Sequence, residues 1–240
     1  MTATRPNTLF NAAALVTLLA VAGCATTPST AQRRDLATLK AEQAALTPER
    51  VLESLRLGNE RFVAGKRESR DVLHDQQITA AGQYPHAVIL SCIDSRAPAE
   101  FIFDQGIGDI MNARIAGNIA DADLVGSMEF ACVVTGAKLV LVMGHTSCGA
   151  IKGACDHVQL GNLTGLLEKI QPAVASVQGV AGDRTSKNEE FVEAVCEANV
   201  RRTLERIREL SPILADLERA GKIQITGCIY NLDTGRVEFL

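Results

Sequence analysis

The chain has 240 residues, of which 47% are hydrophobic and 22% charged, an ordinary balance for a globular protein. This length suits one domain with a full core and is short for two. The net charge of -4 excludes the basic surface expected of a nucleic-acid-binding protein. Tryptophan is absent and aromatic residues make up only 4%, so stacking platforms for bases or sugars are not expected. We therefore predict no nucleic-acid partner.

The first residues predict a secretion signal. Arg5 precedes an apolar segment over residues 9–22, which is too short for a comfortable membrane span but has the length of a signal-peptide core. The segment ends in Val21-Ala22-Gly23-Cys24, which resembles a bacterial lipobox, in which the signal is removed before the cysteine and the cysteine is lipidated. We predict a lipoprotein signal over residues 1–23 and a periplasmic protein anchored through Cys24. The alternative is an ordinary signal peptide that releases a soluble periplasmic protein.

Residues 24–46 are predicted to form a tether. Ala25, rather than an aspartate, follows the lipidated cysteine, which slightly favours the outer membrane. The tether begins with small polar residues and continues with a stretch rich in alanine, glutamine and charge, which could form a loosely attached helix. A single folded domain is predicted over residues 47–240.

Within this domain, strands alternate with helices. Thr47-Pro48-Glu49 is typical of a helix start, with a hydroxyl N-cap, proline at the first helical position and an acid in the first turn. A first strand follows Pro85, and apolar runs and spacing predict further strands over 110–115, 138–143, 222–230 and 236–239, and helices over 121–136, 163–177 and 188–210. The alternation indicates an α/β fold with a mainly parallel central sheet flanked by helices.

Polar side chains follow two of the predicted strands. Cys92, Asp94 and Arg96 alternate beyond the first strand, and His145 and Cys148 follow a later one. In a parallel α/β sheet, ligand sites lie beyond the carboxyl ends of the strands. Two thiolates and an imidazole are a common set of zinc ligands, and three protein ligands leave a fourth position open for water. We therefore predict a catalytic zinc site formed by Cys92, His145 and Cys148.

The two motifs, C-x-D-x-R and H-x-x-C-G, resemble those of the β-class carbonic anhydrases. Further similar stretches are Gly82-Gln83-x-Pro85, Arg114-x-Ala116-Gly117-Asn118, Ser127-x-Glu129-Phe130-Ala131 and Gly227-x-x-Tyr230-x-Leu232-x-Thr234-Gly235. The resemblance spans residues 47–240. It implies a β-carbonic anhydrase-like fold with N-terminal helices packing across a homodimer, or a higher even oligomer. It also implies reversible hydration of carbon dioxide to bicarbonate and a proton by zinc-bound hydroxide.

The same resemblance implies roles for residues beside the metal. Arg96 would hold Asp94 by a charge-assisted fork, leaving a carboxylate oxygen to orient the zinc-bound hydroxide. If Arg96 released it, Asp94 would itself ligate zinc in a closed state. Gln83 matches the amide that hydrogen-bonds the substrate oxygen. The backbone N–H of Gly149, at a helix start, would add to an oxyanion site.

Two other functions stay open at this point. One is a related zinc hydrolase acting on CS2 or COS, and the other is a non-catalytic lipoprotein stabilised by zinc. A cysteine phosphatase is excluded because it needs C-x5-R, whereas Cys92 and Arg96 are spaced as C-x3-R. Of the remaining cysteines, Cys132, Cys196 and Cys228 are expected to be buried thiols, whereas a binding or crosslinking role stays open for Cys155. The scatter of these four cysteines predicts no particular disulfide.

Overall fold

The structure is a computed structural model that describes residues 1–2 and 35–240. Most of the predicted signal peptide over 1–23, and Cys24, therefore lie outside the described residues. The helices are α1 (Leu36–Ala45), α2 (Pro48–Val63), α3 (Val72–Thr79), α4 (Ala99–Ile102), α5 (Ala122–Glu129), α6 (Gly149–Cys155), α7 (Gly161–Glu168), α8 (Gln171–Ser176), α9 (Glu189–Leu210) and α10 (Pro212–Arg219). Among the described residues, no helix is both long and apolar enough to cross a bilayer.

The strands form one five-stranded sheet in the order β2-β1-β3-β4-β5. The first four strands in this order are parallel, and β5 runs antiparallel to β4. Every residue of β1 and β3 is buried, as expected of central strands covered by helices on both faces. The predicted α/β fold with a mainly parallel sheet is confirmed. The strand bounds are β1 (Ala87–Ser91), β2 (Ile110–Arg114), β3 (Leu139–His145), β4 (Gln224–Tyr230) and β5 (Val237–Phe239).

Strand register determines where the predicted ligands emerge. In the pairing of β1 with β3, Ser91 lies opposite Met143. Cys92, directly after β1, and His145, the last residue of β3, therefore lie at the same carboxyl edge of the sheet. Cys148 lies three residues beyond His145, as the N-cap of α6.

Helix α1 is packed onto the domain, although it falls in the predicted tether over 24–46. Gln43 is buried, and its side-chain amide donates hydrogen bonds to the carbonyl oxygens of Pro85 and Thr135, at 2.7 and 2.8 Å. These bonds fix the end of α1 to the segments that precede β1 and β3. The described part of the compact domain thus begins before Thr47, because of a polar contact that the composition of the segment does not reveal.

Several helices differ from their predicted bounds. The helix predicted over 121–136 is α5 followed by a π-helical turn, Phe130–Val134. The helix predicted over 163–177 is divided into α7 and α8, and Pro172, which has no backbone N–H to donate, lies in the first turn of α8. Helix α9 agrees with the prediction for 188–210, and the side chain of Asn188 caps it. Helices α3 and α10 were not predicted.

A buried carboxylate ties α2 to the segment that leads into β2. Asp104 is fully buried and accepts hydrogen bonds from Arg61 Nε and Arg70 Nη1, both at 2.6 Å, and from the backbone N–H of Glu68 at 3.1 Å. Burial opposes ionisation of Asp104, but the hydrogen bonds from Arg61 and Arg70 outweigh it and lower its pKa to about 2. Asp104 is therefore a charged anchor at neutral pH.

Replacing this anchor by a neutral residue of the same shape should destabilise the fold. Asp104→Asn should lower the free energy of unfolding by about 3 kcal/mol, because the guanidinium groups of Arg61, Arg67 and Arg70 lose the charge that compensates them. The contribution of Asp104 is complete above about pH 4, the pKa of an aspartate in an unfolded chain, and is lost as the pH falls towards its folded pKa of about 2. The difference between wild type and variant should therefore shrink over this range of pH.

Urea unfolding followed by circular dichroism, at pH 7 and at pH 3, measures both effects. The matched control is Glu197→Gln, which breaks the exposed ion pair between Glu197 and Arg201. It should change the free energy of unfolding by no more than about 0.5 kcal/mol. Equal losses in the two variants would contradict the account.

Candidate metal centre

Three potential metal ligands meet at the carboxyl edge of the sheet. The ligand atoms of Cys92, His145 and Cys148 all lie within 4.8 Å of one another, and all three residues are buried. The two Sγ atoms are 3.9 Å apart. The end of β1, the end of β3 and the start of α6 thus bring together the three residues predicted as zinc ligands.

The imidazole of His145 is oriented for metal binding. Its Nδ1 lies 2.9 Å from the carbonyl oxygen of Thr146, and because a carbonyl only accepts, Nδ1 carries the proton. The Nε2 atom then presents a lone pair, and it is buried without a hydrogen-bond partner among the described residues. A backbone carbonyl that fixes the tautomer in this way is the usual outer contact of a metal-binding histidine.

The two thiols favour a cation between them. The hydrogen bond from the Cys148 thiol lowers the pKa of Cys92, while the same closeness, together with burial, raises the pKa of Cys148. The first thiolate therefore forms readily and a second beside it is resisted, unless a cation compensates both. Two thiolates and a neutral imidazole fit zinc, and that is the metal we assign to Cys92, His145 and Cys148.

Unpaired buried polar groups concentrate around the same point. In the part of the chain that the structure describes, the other buried side-chain atoms without a hydrogen-bond partner belong to Ser91 and Asn118. Ser91 precedes Cys92, and Asn118 follows Gly117, whose N–H donates to Cys92 Sγ at 3.4 Å. Such groups are rare in folded cores, and their location beside Cys92 is typical of a functional site.

An ion pair between Arg96 and Asp94 lies beside the ligand atoms. Arg96 donates from Nε to Asp94 Oδ1 at 3.0 Å and from Nη2 to Oδ2 at 2.8 Å, and its backbone N–H also donates to Oδ1 at 2.9 Å. The Arg96 guanidinium holds the pKa of Asp94 well below its usual range. Asp94 Oδ2 lies 3.8 Å from His145 Nε2. In this structure Asp94 is thus engaged with Arg96, and the three-ligand group does not include it.

Arg114, for which no role was predicted, holds the segment that carries both Cys92 and Asp94. Its Nε donates to the carbonyl oxygen of Cys92 at 2.9 Å, and its Nη2 donates to that of Asp94 at 2.6 Å. Arg114 is the last residue of β2 and lies opposite Ser91. The adjacent ends of two parallel strands were the signal that could have identified it.

Gln83 and Gly149 were both predicted to contact substrate, but they lie at opposite ends of the sheet. Gly149 is exposed directly after Cys148, and a side chain added there would meet nothing within 4 Å. Gln83 is exposed before β1. The backbone of His86 already forms hydrogen bonds with the neighbouring segments on both sides. The chain is therefore extended from His86 to Cys92, a distance of roughly 20 Å. Gln83 therefore lies at the opposite end of the sheet from the metal ligands of its own chain.

The other described cysteines are not among the potential metal ligands. Among the described residues every cysteine is free and buried, including the four outside the metal-ligand set, Cys132, Cys155, Cys196 and Cys228. Burial raises the pKa of Cys132 to about 12 and that of Cys155 to about 11, so these thiols stay protonated and unreactive. The expectation of buried thiols is confirmed for Cys132, Cys196 and Cys228, and Cys155 is also buried and free.

The ligand assignment predicts which thiol the metal depends on. Cys92→Ser should reduce bound zinc to well below one equivalent per chain, because a neutral hydroxyl replaces a thiolate in the ligand set. The matched control is Cys132→Ser, which removes a buried thiol that lies outside the cluster and should leave the zinc content unchanged. Metal analysis of the purified, dialysed proteins measures this. Full zinc retention in Cys92→Ser would contradict the assignment.

Comparisons with known proteins agree with this geometry. The sequence pattern of the family described as carbonic anhydrase matches residues 87–237. Carbonic anhydrase 2 of Mycobacterium tuberculosis is 37% identical over 196 residues, which cover 79% of this chain and 91% of that protein. The carbonic anhydrase of Mycolicibacterium smegmatis is 33% identical over 198 residues, covering 80% and 92%.

Solved structures show the same fold. The β-carbonic anhydrase CafA of Aspergillus fumigatus superposes with a TM-score of 0.58 at 25% identity, covering 69% of this chain and 79% of that one. One of two tetrameric β-carbonic anhydrases from Sordaria macrospora gives a TM-score of 0.61 at 21% identity, covering 70% and 86%. Together with the matched family pattern and the two bacterial relatives, these similarities establish that the chain belongs to the β-class carbonic anhydrase family.

Proposed function

We propose that this chain hydrates carbon dioxide reversibly to bicarbonate and a proton, with zinc bound by Cys92, His145 and Cys148. The observation that carries this proposal is the buried group of two thiols and one imidazole with an ionised carboxylate beside it. Zinc supplies Lewis acidity, which lowers the pKa of a coordinated water towards neutrality. The protein residues hold the metal and orient the reacting water.

Asp94 is the residue that orients the water. Because Arg96 lowers its pKa, the carboxylate is ionised throughout the working range of pH and acts only as a hydrogen-bond acceptor. Its Oδ2, 3.8 Å from His145 Nε2, lies beside the ligand atoms, where it can accept a hydrogen bond from the attacking water and so direct an oxygen lone pair at carbon dioxide. Asp94 is therefore proposed as a catalytic residue.

Arg96 and Arg114 keep Asp94 in this position. Arg96 uses both side-chain and backbone donors on the carboxylate, which leaves it little freedom to rotate. Arg114 fixes the backbone on either side of the same loop through the carbonyl oxygens of Cys92 and Asp94. Release of Asp94 by Arg96, which would free it to ligate the metal in a closed state, must first break these charge-assisted bonds.

Removing the Asp94 carboxylate should separate chemistry from metal binding. Asp94→Ala should abolish hydration of carbon dioxide, while zinc stays at one equivalent because the three ligands remain. Stopped-flow hydration with parallel zinc analysis measures both, and Asp183→Ala, which removes an exposed carboxylate in a loop, is the matched control. Near wild-type turnover in Asp94→Ala would exclude the role given to Asp94.

We also propose that the protein is a homodimer, or a higher even oligomer, in which Gln83 serves the metal centre of a second copy. The support for this proposal is that Gln83 lies far from the Cys92 of the same chain. An apolar patch formed by Phe130, Val133 and Val134 is exposed on the π-helical turn. Apolar patches of this kind are common at interfaces between proteins. The N-terminal helices α1 and α2 are proposed to pack across the same interface.

Gln83 lies near this patch. Gln43 hydrogen-bonds both Pro85, two residues after Gln83, and Thr135, directly after the π-helical turn. A second copy that covered the patch would therefore also contact the segment of Gln83. The tetrameric state described for the Sordaria macrospora enzymes is consistent with assembly through faces of this kind.

Mixed oligomers test whether Gln83 acts in the second copy. Gln83→Ala and Cys92→Ser chains should each be nearly inactive alone, but a heterodimer contains one complete site, with the metal ligands of one chain and Gln83 of the other. Co-expression should restore about a quarter of wild-type activity per chain, because half of the randomly formed dimers are mixed and one of their two sites is intact. Activity no higher than in the separate variants would contradict the proposal, as would a monomer in analytical ultracentrifugation.

We further propose that residues 1–23 are a lipoprotein signal, that Cys24 is lipidated, and that the mature protein is held at a periplasmic membrane surface, with the outer membrane slightly favoured. The support is the lipobox-like sequence that ends in Cys24, which follows an apolar segment of signal-peptide length. Two acyl groups or more on one cysteine are enough for stable anchoring.

Replacing Cys24 should release the protein from the membrane. Wild type should sediment with membranes and partition into detergent, whereas Cys24→Ser should carry no lipid and should be found in the soluble fraction. Cell fractionation with mass analysis of the mature N-terminus measures this, and Cys132→Ser controls for loss of a thiol as such. A wild-type protein found only in the soluble periplasm would support the ordinary signal peptide instead.

A further inference from the structure

We propose that Asn199 is a positioning residue of the metal centre, which acts through the peptide groups of Gly117 on the Cys92 ligand. This inference rests on the metal centre of the proposed function. It concerns helix α9, which contributes no metal ligand. Asn199 lies within the helix and is 2% exposed. Burying an amide side chain costs free energy unless its polar atoms form hydrogen bonds. The hydrogen-bond partner of Asn199 therefore indicates its role.

The partner of Asn199 is the carbonyl oxygen of a residue that itself hydrogen-bonds the Cys92 thiol. Asn199 Nδ2 donates to the carbonyl oxygen of Gly117 at 2.8 Å, and the N–H of Gly117 donates to Cys92 Sγ at 3.4 Å. Two hydrogen bonds thus connect the buried face of α9 to the thiol. A donor to a thiolate ligand withdraws charge from the sulfur and fixes its direction, so such contacts tune both metal affinity and metal acidity.

Gly117 makes these contacts in a left-handed backbone conformation. Its φ is 71°, in the left-handed region that favours glycine, and a Cβ there would lie 2.6 Å from Ile170 and 3.3 Å from Ala150. The turn is a short 3-10 segment, Ala116–Asn118, with few bonds of its own. Because the backbone of Gly117 is so permissive, an external contact is needed to hold its N–H on the sulfur, and Asn199 provides it.

The same face of α9 supports a second ligand. Cys196, one turn before Asn199, donates from its thiol to the carbonyl oxygen of His145 at 3.3 Å. Side chains three residues apart on a helix lie on one face, so this stripe of α9 contacts the backbone at both His145 and Gly117. Thr203 continues the stripe and is also buried, but no hydrogen bond of its side chain reaches the metal centre within the described structure. It provides a matched control.

The test measures zinc retention, which is independent of turnover. Asn199→Leu keeps the branching of the side chain but removes the donor, and should weaken zinc binding about 10- to 100-fold, the usual effect of losing an outer contact of a metal ligand, seen as faster loss of zinc to a chelator. The sulfur-to-metal charge-transfer band of the cobalt-substituted protein should also shift. Asn199→Ala, which favours the helix, is the second variant in case the leucine does not pack. Thr203→Ala should leave zinc loss and spectrum at wild-type values.

The outcomes separate a positioning role from a merely structural one. Wild-type zinc retention and an unchanged cobalt spectrum in the folded Asn199 variants would overturn the proposal, even if they melt at lower temperature. Equal acceleration of zinc loss in Thr203→Ala would also overturn it, because the effect would then come from a weakened core. A wild-type protein that binds zinc but does not hydrate carbon dioxide would refute the proposed function and leave the zinc-retention result to decide the role of Asn199.

Discussion

The closeness of two thiols and one imidazole is the constraint on which the site depends. Cys92 and Cys148 have sulfur atoms 3.9 Å apart in a buried space, and His145 lies beside them with an imidazole nitrogen that has no hydrogen-bond partner in the described part of the chain. Two negative sulfurs so close together, away from water, require a cation. The fold supplies this arrangement by ending two adjacent parallel strands at one edge and starting a helix there, so the central sheet and the metal centre are stabilised together.

Around this centre the protein uses backbone carbonyls as its main points of attachment. Arg114 binds the carbonyls of the loop that carries Cys92, while Cys196 and Asn199 bind those of the strand end and the glycine turn. Contacts of this kind fix ligand directions through the backbone, and those from Cys196 and Asn199 add no charge to the site. Asp94 is an acidic group held close to the ligand atoms, and its pairing with Arg96 keeps it available to the reacting water.

The sequence predicted those parts of the molecule that are determined locally. Continuous apolar runs indicated β1 and β3, and the residues directly after them indicated the ligands. Gln43 and Asn199 could not be recognised, because each binds a carbonyl far away in sequence and any residue type can offer a carbonyl. The position of Gln83 could have been inferred, since it precedes the strand that Cys92 follows, and an extended strand separates its two ends.

The most direct test of the account is to return zinc to the metal-free protein while measuring hydration of carbon dioxide by stopped flow. The account predicts that activity rises in proportion to bound zinc and saturates at one zinc per chain, because one centre of three protein ligands performs the reaction. Stoichiometric zinc without hydration would contradict it and would indicate a structural role for the metal.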